Sequence, residues 1–300
     1  PVRQRMDEGA GNRPFFVDNR PMSASLPDSG DAAIRLRRWL EGYQRVFVLT
    51  GAGCSTGSGI PDYRDADGGW KRSPPVDIRD FIDDAMVNAR YWARSFVGWP
   101  VVAAAMPNAA HLALAQSRSS GWMSRLVTQN VDGLHERAGS AGVIDLHGRI
   151  DRVVCLHCAA RYARADIQQR LADANPGWSG LAARAAPDGD ADLEGRDFAG
   201  FQVPRCEACG GMLKPDVVFF GENVPRPRYE EARAALDDSE ALLVVGSSLM
   251  VYSGFRFARL AHEAGQPIAI LNQGKTRADD LAAIKVEADC AATLQGALVS

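Results

Sequence analysis

The chain has 300 residues, 46% hydrophobic and 24% charged, with a net charge of −3 at pH 7, the proportions of an ordinary soluble globular protein. No apolar run approaches the roughly 20 residues that span a bilayer, and the opening stretch Pro1 to Met6 lacks the apolar core of a secretory signal. A small negative charge argues against a non-specific nucleic-acid binder, so neither direct nucleic-acid binding nor membrane association is expected.

In chain order, residues 1–30 are rich in Pro, Gly, Asn, Asp and Ser and read as a flexible N-terminal arm. Asp31 is placed to cap a helix that runs through Trp39 and Leu40, with Ile34, Leu36 and Leu40 as its apolar surface. The run Val46 to Leu49 reads as a buried strand, and it leads into a glycine-rich loop, TGAGCSTGSGIPDYRD, at 50–65. Residues 66–105 read as loop and then helices carrying Phe81, Tyr91, Trp92, Phe96 and Trp99. A helix at 109–118 precedes a strand from Ser124 to Thr128, which opens into Gln129-Asn130-Val131-Asp132.

A short strand at 143–146 ends at His147. Two later apolar runs, 241–245 and 267–271, end at Gly246-Ser247-Ser248 and Asn272-Gln273-Gly274. Uninterrupted apolar runs separated by helical sequence predict an α/β fold built on a doubly wound parallel sheet. Ligands of such sheets gather outside the carboxyl ends of the strands, where each of these polar motifs falls. The segment 149–216 breaks the rhythm and reads as a small inserted module. It includes an acidic stretch, 186–197, that reads as an exposed loop.

Four of the six cysteines form two C-x-x-C pairs, Cys155/Cys158 and Cys206/Cys209, separated by 47 residues. Without a secretion signal such pairs favour metal over disulfides. Four thiolates close a tetrahedral Zn2+ shell and leave no position for water or substrate, which predicts a structural zinc rather than four plain core cysteines. His157, between Cys155 and Cys158, reads as an exposed knuckle residue.

The glycine loop nearly matches the dinucleotide fingerprint, but Thr56 stands at the third glycine position. No acidic residue follows at the distance and in the context that a dehydrogenase needs to hold the ribose, so hydride transfer fits poorly. His147 ends a strand on the ligand side of the sheet, where an imidazole can serve as a general base. For His111, His135 and His262 a helix-face or surface role is the better reading.

GAGCSTGSGIPDYR, TQNVDGLH, LHG, the two C-x-x-C pairs, KPDVVFFGE, VVGSSL and ILNQG occur here in the order found in the sirtuins, and the chain is identified by these motifs as resembling that family over about 31–295. RYWARSFVGWP, APDGDADL, FQVPRC and LVVGSSLMVYSG resemble the class II branch, in particular the fourth mammalian sirtuin, a mitochondrial enzyme. The arginine- and alanine-rich composition suggests a bacterial relative, for which the cytoplasm is the expected compartment, with the mitochondrial matrix as the alternative. The resemblance implies a Rossmann-type NAD-binding domain formed by 31–65, 106–148 and 217–300. Residues 66–105 would be the helical part of a small domain, and 149–216 its zinc-binding module.

The resemblance also implies roles. Gly51, Ala52, Gly53 and Thr56 would approach the cofactor, with Ala52 and Gly53 at the phosphates, and Asp62-Tyr63-Arg64 would belong to a mobile cofactor loop in which Tyr63 shields the ribose. Asn130 and Asp132 would hold the nicotinamide end, and Gln129 the ribose. Gly246, Ser247, Ser248, Asn272, Gln273 and Gly274 would contact phosphate and adenosine ribose, and Cys290 would lie near adenine. His147 would act as general base on the ribose hydroxyls, with Asn130 and Asp132 as its catalytic companions. Val131 and the strand Val218-Phe219-Phe220-Gly221-Glu222 would bind the acyl-lysine substrate by β-augmentation.

The implied activity is NAD-dependent protein-lysine deacylation: nicotinamide is lost as the acyl oxygen attacks the ribose, and free lysine and O-acyl-ADP-ribose are released. A Tyr-x-x-Arg pair that grips succinyl and malonyl groups is replaced at the aligned positions by Ser95-Phe96-Val97-Gly98. Neutral or larger acyl groups such as lipoyl, biotinyl or branched acids are therefore expected over succinyl. Two alternatives stand beside this reading: mono-ADP-ribosyl transfer at the same NAD site, and a non-enzymatic zinc-ribbon binding protein. A monomer is expected.

Overall fold

The computed structural model describes residues 29–71, 75–117, 121–181, 190, 191, 193 and 195–299. The N-terminal arm, apart from its last two residues, and half of the acidic stretch 186–197 lie outside the described residues. The first half of the chain forms α1 (Ser29–Leu40), β1 (Val46–Thr50), α2 (Ile78–Asp83), α3 (Ala85–Ala104), α4 (Ala109–Ser117), β2 (Met123–Thr128), α5 (Leu134–Arg137) and β3 (Ile144–Asp145). There follow β4 (Gly148–Cys155), β5 (Arg161–Ala163), α6 (Arg164–Ala174) and β6 (Leu213–Val217). The chain ends with α7 (Arg226–Asp237), β7 (Ala241–Val245), α8 (Tyr252–Glu263), β8 (Ile268–Leu271), β9 (Ile284–Val286) and α9 (Cys290–Leu298).

Six strands form one sheet in the order β3-β2-β1-β7-β8-β9, every neighbouring pair parallel. All five residues of β1 and of β7 and all four of β8 are buried. Successive side chains point to opposite faces, so Val48, Leu243 and Leu271 pack under α1, α4 and α9. Phe47, Val244 and Ile270 pack on the other face with Leu236 of α7 and Phe257 of α8. Two covered faces explain why these strands read as continuous apolar runs. Asp31 sits inside the first turn of α1 rather than at its cap, because the helix begins at Ser29. There its charge still favours the positive helix end.

A second, antiparallel sheet, β5-β4-β6, shares a core with α2, α3 and α6 through Phe81, Trp92, Phe96, Val153, Ile167 and Leu213. Arg164 is buried in this core. It donates to Ser95 O at 3.2 Å and to Gln168 Oε1 at 2.6 Å, and its guanidinium lies 5.1 Å from the Trp99 ring centroid and 5.5 Å from that of Trp92. The α3–α6 contact is thus fixed by one desolvated cation whose hydrogen bonds come from Ser95 of α3 and from Gln168 of its own helix. Among the described residues no single helix is long and apolar enough to cross a membrane.

Strand order reverses between β1 and β7, and there the two strand ends touch. Gly51 N donates to Val245 O at 3.0 Å, Gly53 N to Gly246 O at 2.8 Å, and Gly246 N to Leu271 O at 2.8 Å. Gly246 has φ +60°, and a Cβ on it would collide with the Cys54 backbone nitrogen. Gly246→Ala is expected to destabilise the chain by clearly more than the ~1–2 kcal/mol of a left-handed L-residue. Gly265→Ala, with φ +72° and nothing near the added Cβ, should cost only that conformational amount. Paired urea titrations of the two variants measure the difference.

Candidate active site

Outside the carboxyl ends of β1, β2, β7 and β8, opposite the small sheet, lies a cavity of about 1160 Å³. Gly51, Ala52 and Gly53 reach it from β1, Gln129 to Asp132 from β2, Gly246 to Ser248 from β7, and Asn272 and Gln273 from β8. Asp62, Tyr63, Arg64 and His147 line it as well, and Val218 to Glu222 form part of the facing wall. Three residues expected at the cofactor do not line this cavity. Thr56 turns its Oγ1 back onto Gly53 O at 3.1 Å. Gly274 packs against Ala66, where a Cβ would meet the carbonyl oxygen at 2.6 Å. Cys290 is 7% exposed in the core beneath α9.

His147 stands at the cavity wall with Nδ1 2.9 Å from Gln129 O and Nε2 2.8 Å from Ser253 Oγ. Burial pushes its pKa down to about 4, opposed by the Gln129 carbonyl and reinforced by Arg228. The ring is therefore neutral at physiological pH and keeps one unprotonated nitrogen, the state a general base requires.

Asn130 and Asp132 are fixed by a residue that the sequence reading passed over. Ser55 Oγ accepts from Asn130 Nδ2 at 2.9 Å and donates to Asp132 Oδ2 at 2.7 Å. Asn130 Nδ2 also reaches Gly51 O at 3.1 Å, and Asp132 Oδ1 accepts from Leu134 N at 2.9 Å, starting α5. Behind them lie His111, 0% exposed, and His135, 1% exposed; both stand on helices, as one of the two expected roles had it, and their burial corrects the surface alternative. His111 Nε2 is 3.4 Å from Ser55 Oγ, and His135 Nε2 is 2.9 Å from Thr50 Oγ1, itself 2.8 Å from Thr128 Oγ1. The physical reason is that α4 and α5 press these imidazoles against hydroxyls at the ends of β1 and β2, where neutral rings can be buried. Burial lowers both pKa values, that of His111 to about 4. Spacing along the chain gave no signal for this, because the partners are 56 and 85 residues away. His262 is exposed, as expected.

The loop 62–71 is clipped over the cavity. Asp62 pairs with Lys71, Lys71 N donates to Tyr63 O at 2.9 Å, and the Arg64 guanidinium stacks 3.5 Å from the centroid of Trp70. Trp70, another residue not singled out from sequence, meets both Tyr63 and Phe220 edge-on. On the facing wall β6 ends at Val217, so residues 218–222 are not the strand expected: Phe220 makes one isolated bridge to Asp77, and Gly221 at φ +83° turns the chain so that Glu222 N donates to Phe219 O at 3.0 Å. Val218 N donates to His147 O at 2.8 Å and ties this segment to the imidazole. Glu222 turns inward, accepting from Lys214 Nζ at 2.9 Å and from Phe219 N at 2.7 Å.

The four cysteines of the C-x-x-C pairs come together, all sulfurs within 4.8 Å of one another. Cys155 and Cys209 Sγ are 3.5 Å apart, and Cys158 and Cys206 Sγ 3.6 Å. A zinc tetrahedron with Zn–S ~2.3 Å has edges of about 3.8 Å, so the donor set and its spacing fit one Zn2+. Gly211 leaves the sulfurs room, since a Cβ there would lie 3.0 Å from Cys155 Sγ and 3.1 Å from Cys209 Sγ. His157 is exposed on the knuckle.

Residues 51–253 match the model of the Sir2 family. A protein of Xanthomonas campestris pv. campestris strain 8004 named NAD-dependent protein deacetylase is 57% identical over 273 residues, covering 91% of this chain and 92% of its own length. One of the same name from Bordetella bronchiseptica is 59% identical over 255 residues, with 85% and 93% covered. Among solved structures, Sir2 with a p53 peptide and NAD+ is 29% identical with a TM-score of 0.68, covering 87% of this chain and 95% of that one. Sir2Tm bound to a propionylated peptide is likewise 29% identical, with a TM-score of 0.69 and the same coverage.

Two outcomes follow from this geometry. The His111 pKa is about 4 in the folded chain against an ordinary 6.5, so the unfolded chain takes up the proton first. This contribution to stability is complete above about 6.5 and is lost as the pH falls towards 4. The melting temperature should drop across that window, and less steeply in His111→Gln; equal slopes in the two proteins would exclude it. Separately, Cys206→Ser should lose one bound zinc per chain by metal analysis. Amide protection should fall in β4–β6 while β1 and β7 keep theirs.

Proposed function

Because the chain belongs to the Sir2 family, we propose that it is an NAD-dependent protein-lysine deacylase whose chemistry is carried out by His147, Asn130 and Asp132. The observation that carries this reading is the common cavity: a neutral histidine, the fixed Asn130–Ser55–Asp132 group, a glycine loop where the strand order reverses and the segment 218–222 all face one space large enough for a dinucleotide and a side chain. Bound NAD supplies the nicotinamide–ribose bond that is broken as the acyl group moves from lysine to ribose.

The chain's residues do the rest. Ala52, Gly53, Gly246, Ser247 and Ser248 hold phosphate where the strand order reverses, as is usual for parallel sheets, and Asn272 and Gln273 take the adenosine ribose. Asn130 and Asp132 orient the nicotinamide end, and Tyr63 covers the ribose and excludes water once nicotinamide has gone. His147 accepts the ribose hydroxyl proton at Nε2, the nitrogen left free by Gln129. The acylated lysine of a protein substrate enters along Val218 to Glu222, and Val131 lines its channel.

For the acyl chain we favour neutral or larger groups over succinyl. Ile60, Val102, Val131 and Ile150 make an apolar cluster on the cavity wall. Ser95, in place of a phenol, gives its oxygens to Arg164, and Gly98 offers no cation. Arg94, a turn earlier in α3, is paired with Asp190 at 2.7 Å. A carboxylate left unpaired on such a wall costs several kcal/mol.

With NAD and a panel of acyl-lysine peptides, nicotinamide release and peptide mass should report loss of acetyl and lipoyl groups. Succinyl-lysine should be cleaved with kcat/KM at least about tenfold lower, since 1.4 kcal/mol is a factor of ten; equal rates on succinyl and acetyl would refute the preference. Peptide that gains ADP-ribose instead of losing its acyl group would move the activity to transfer. His147→Ala should lower product formation by about 10²- to 10⁴-fold with an unchanged melting temperature.

A further inference from the structure

Both ring nitrogens of His147 are engaged in the free protein, and by different kinds of partner. Nδ1 faces the carbonyl oxygen of Gln129 at 2.9 Å. A carbonyl can only accept, so Nδ1 carries the proton. The ring is neutral, which leaves the lone pair on Nε2, and the atom 2.8 Å from it is Ser253 Oγ. The serine hydroxyl is therefore the donor. Ser253 is the second residue of α8, and this first turn is pressed against the other partner of the imidazole, because a Cβ on Gly254 would collide with the side chain of Gln129. The charged group acting on the ring is Arg228 of α7. Arg256 of α8 lines the same cavity, and Gln129 and Ser253 are uncharged.

Resting on the reading of His147 as general base, we propose that Ser253 is a positioning residue for the deacylation: its hydroxyl holds the proton-accepting nitrogen of His147 in the free protein and yields it to the ribose hydroxyl when the cofactor binds. The exchange is forced by geometry. Nε2 has one in-plane lone pair, and a serine hydroxyl and a ribose hydroxyl cannot both donate to it. Before binding, the bond from Ser253 stabilises the neutral imidazole and fixes its plane from the side opposite Gln129. After binding, the ribose hydroxyl takes over that contact, and Ser253 no longer acts on the basicity of the ring.

The consequence is a difference between two pH profiles that a merely structural role would not create. The acid limb of kcat/KM for NAD reports the free enzyme, and that of kcat the bound complex. Removing a hydrogen bond to the neutral form raises the pKa of the ring, so Ser253→Ala in the full chain should move the acid limb of kcat/KM up by roughly half to one pH unit. The acid limb of kcat should stay where it is, and Ser253→Thr, which keeps the hydroxyl, should restore the wild-type profile. In parallel, the 15N resonance of His147 Nε2 at neutral pH should differ between wild type and Ser253→Ala in the free protein. With ADP-ribose bound, the two should coincide.

Limbs that do not move, limbs that move equally, or a resonance difference that persists with ADP-ribose would each overturn the proposal. Failure of the underlying reading looks different: the wild type would then release no nicotinamide from NAD and an acetyl-lysine peptide.

Discussion

The carboxyl ends of β1 and β7 meet backbone to backbone, and the geometry of the site depends on that contact. Gly53 N and Gly246 O lie 2.8 Å apart, and a Cβ on Gly51 would come within 2.7 Å of Ser247 Cβ. Parallel strands that diverge in connection on either side of this point leave a crevice above it, and the absent side chains let a ligand backbone enter. Everything placed around the cavity is placed relative to this seam: Gln129 and Asn130 bond back to Thr50 and Gly51, and Gln129 Nε2 reaches Ser247 Oγ at 2.8 Å. A shift of one strand end would carry the reactive groups with it.

Electrostatics then sets what those groups can do. His147, His111 and His135 all have lowered pKa values, with burial as the leading cause, but only His147 faces the cavity. The other two stand behind Ser55 and Thr50 as neutral hydrogen-bonding blocks, which lets the single carboxylate of Asp132 keep its orientation without a buried counter-charge. Desolvated polar groups that are fully partnered rigidify a site, and partly partnered ones are costly. Ser55 is of the first kind, joining Asn130, Asp132 and His111 through one hydroxyl.

The facing wall is held by a different set of forces. The small sheet has its four sulfurs on one side and the Arg164–Trp92–Trp99 contact on another. Lys214, 5% exposed, bonds Glu222 beneath the segment 218–222. Trp70 bridges this wall to the loop that carries Tyr63 and Arg64. The two walls are thus joined by backbone hydrogen bonds at their base, Val218 N to His147 O at 2.8 Å and Ile150 N to Val131 O at 2.9 Å, and by aromatic contacts at the loop that carries Tyr63.

Much of this was legible in the chain. The apolar runs at 46–49, 241–245 and 267–271 specified strands covered on both faces, since only full burial tolerates such composition. The two C-x-x-C pairs declared a thiolate metal site, because ligand type and tight spacing are local properties, and the ordered motifs pointed to the family. Tertiary structure alone decided which side chains stand together. It brought Ser253 to His147 across 106 residues and His135 to Thr50 across 85. It also buried His111, and it turned Thr56 and Cys290 away from the cavity. Sequence patterns record the backbone's periodicity and the chemistry each residue carries. Contacts between distant residues are set by how the strand order reverses and the helices pack, and no local spacing encodes that.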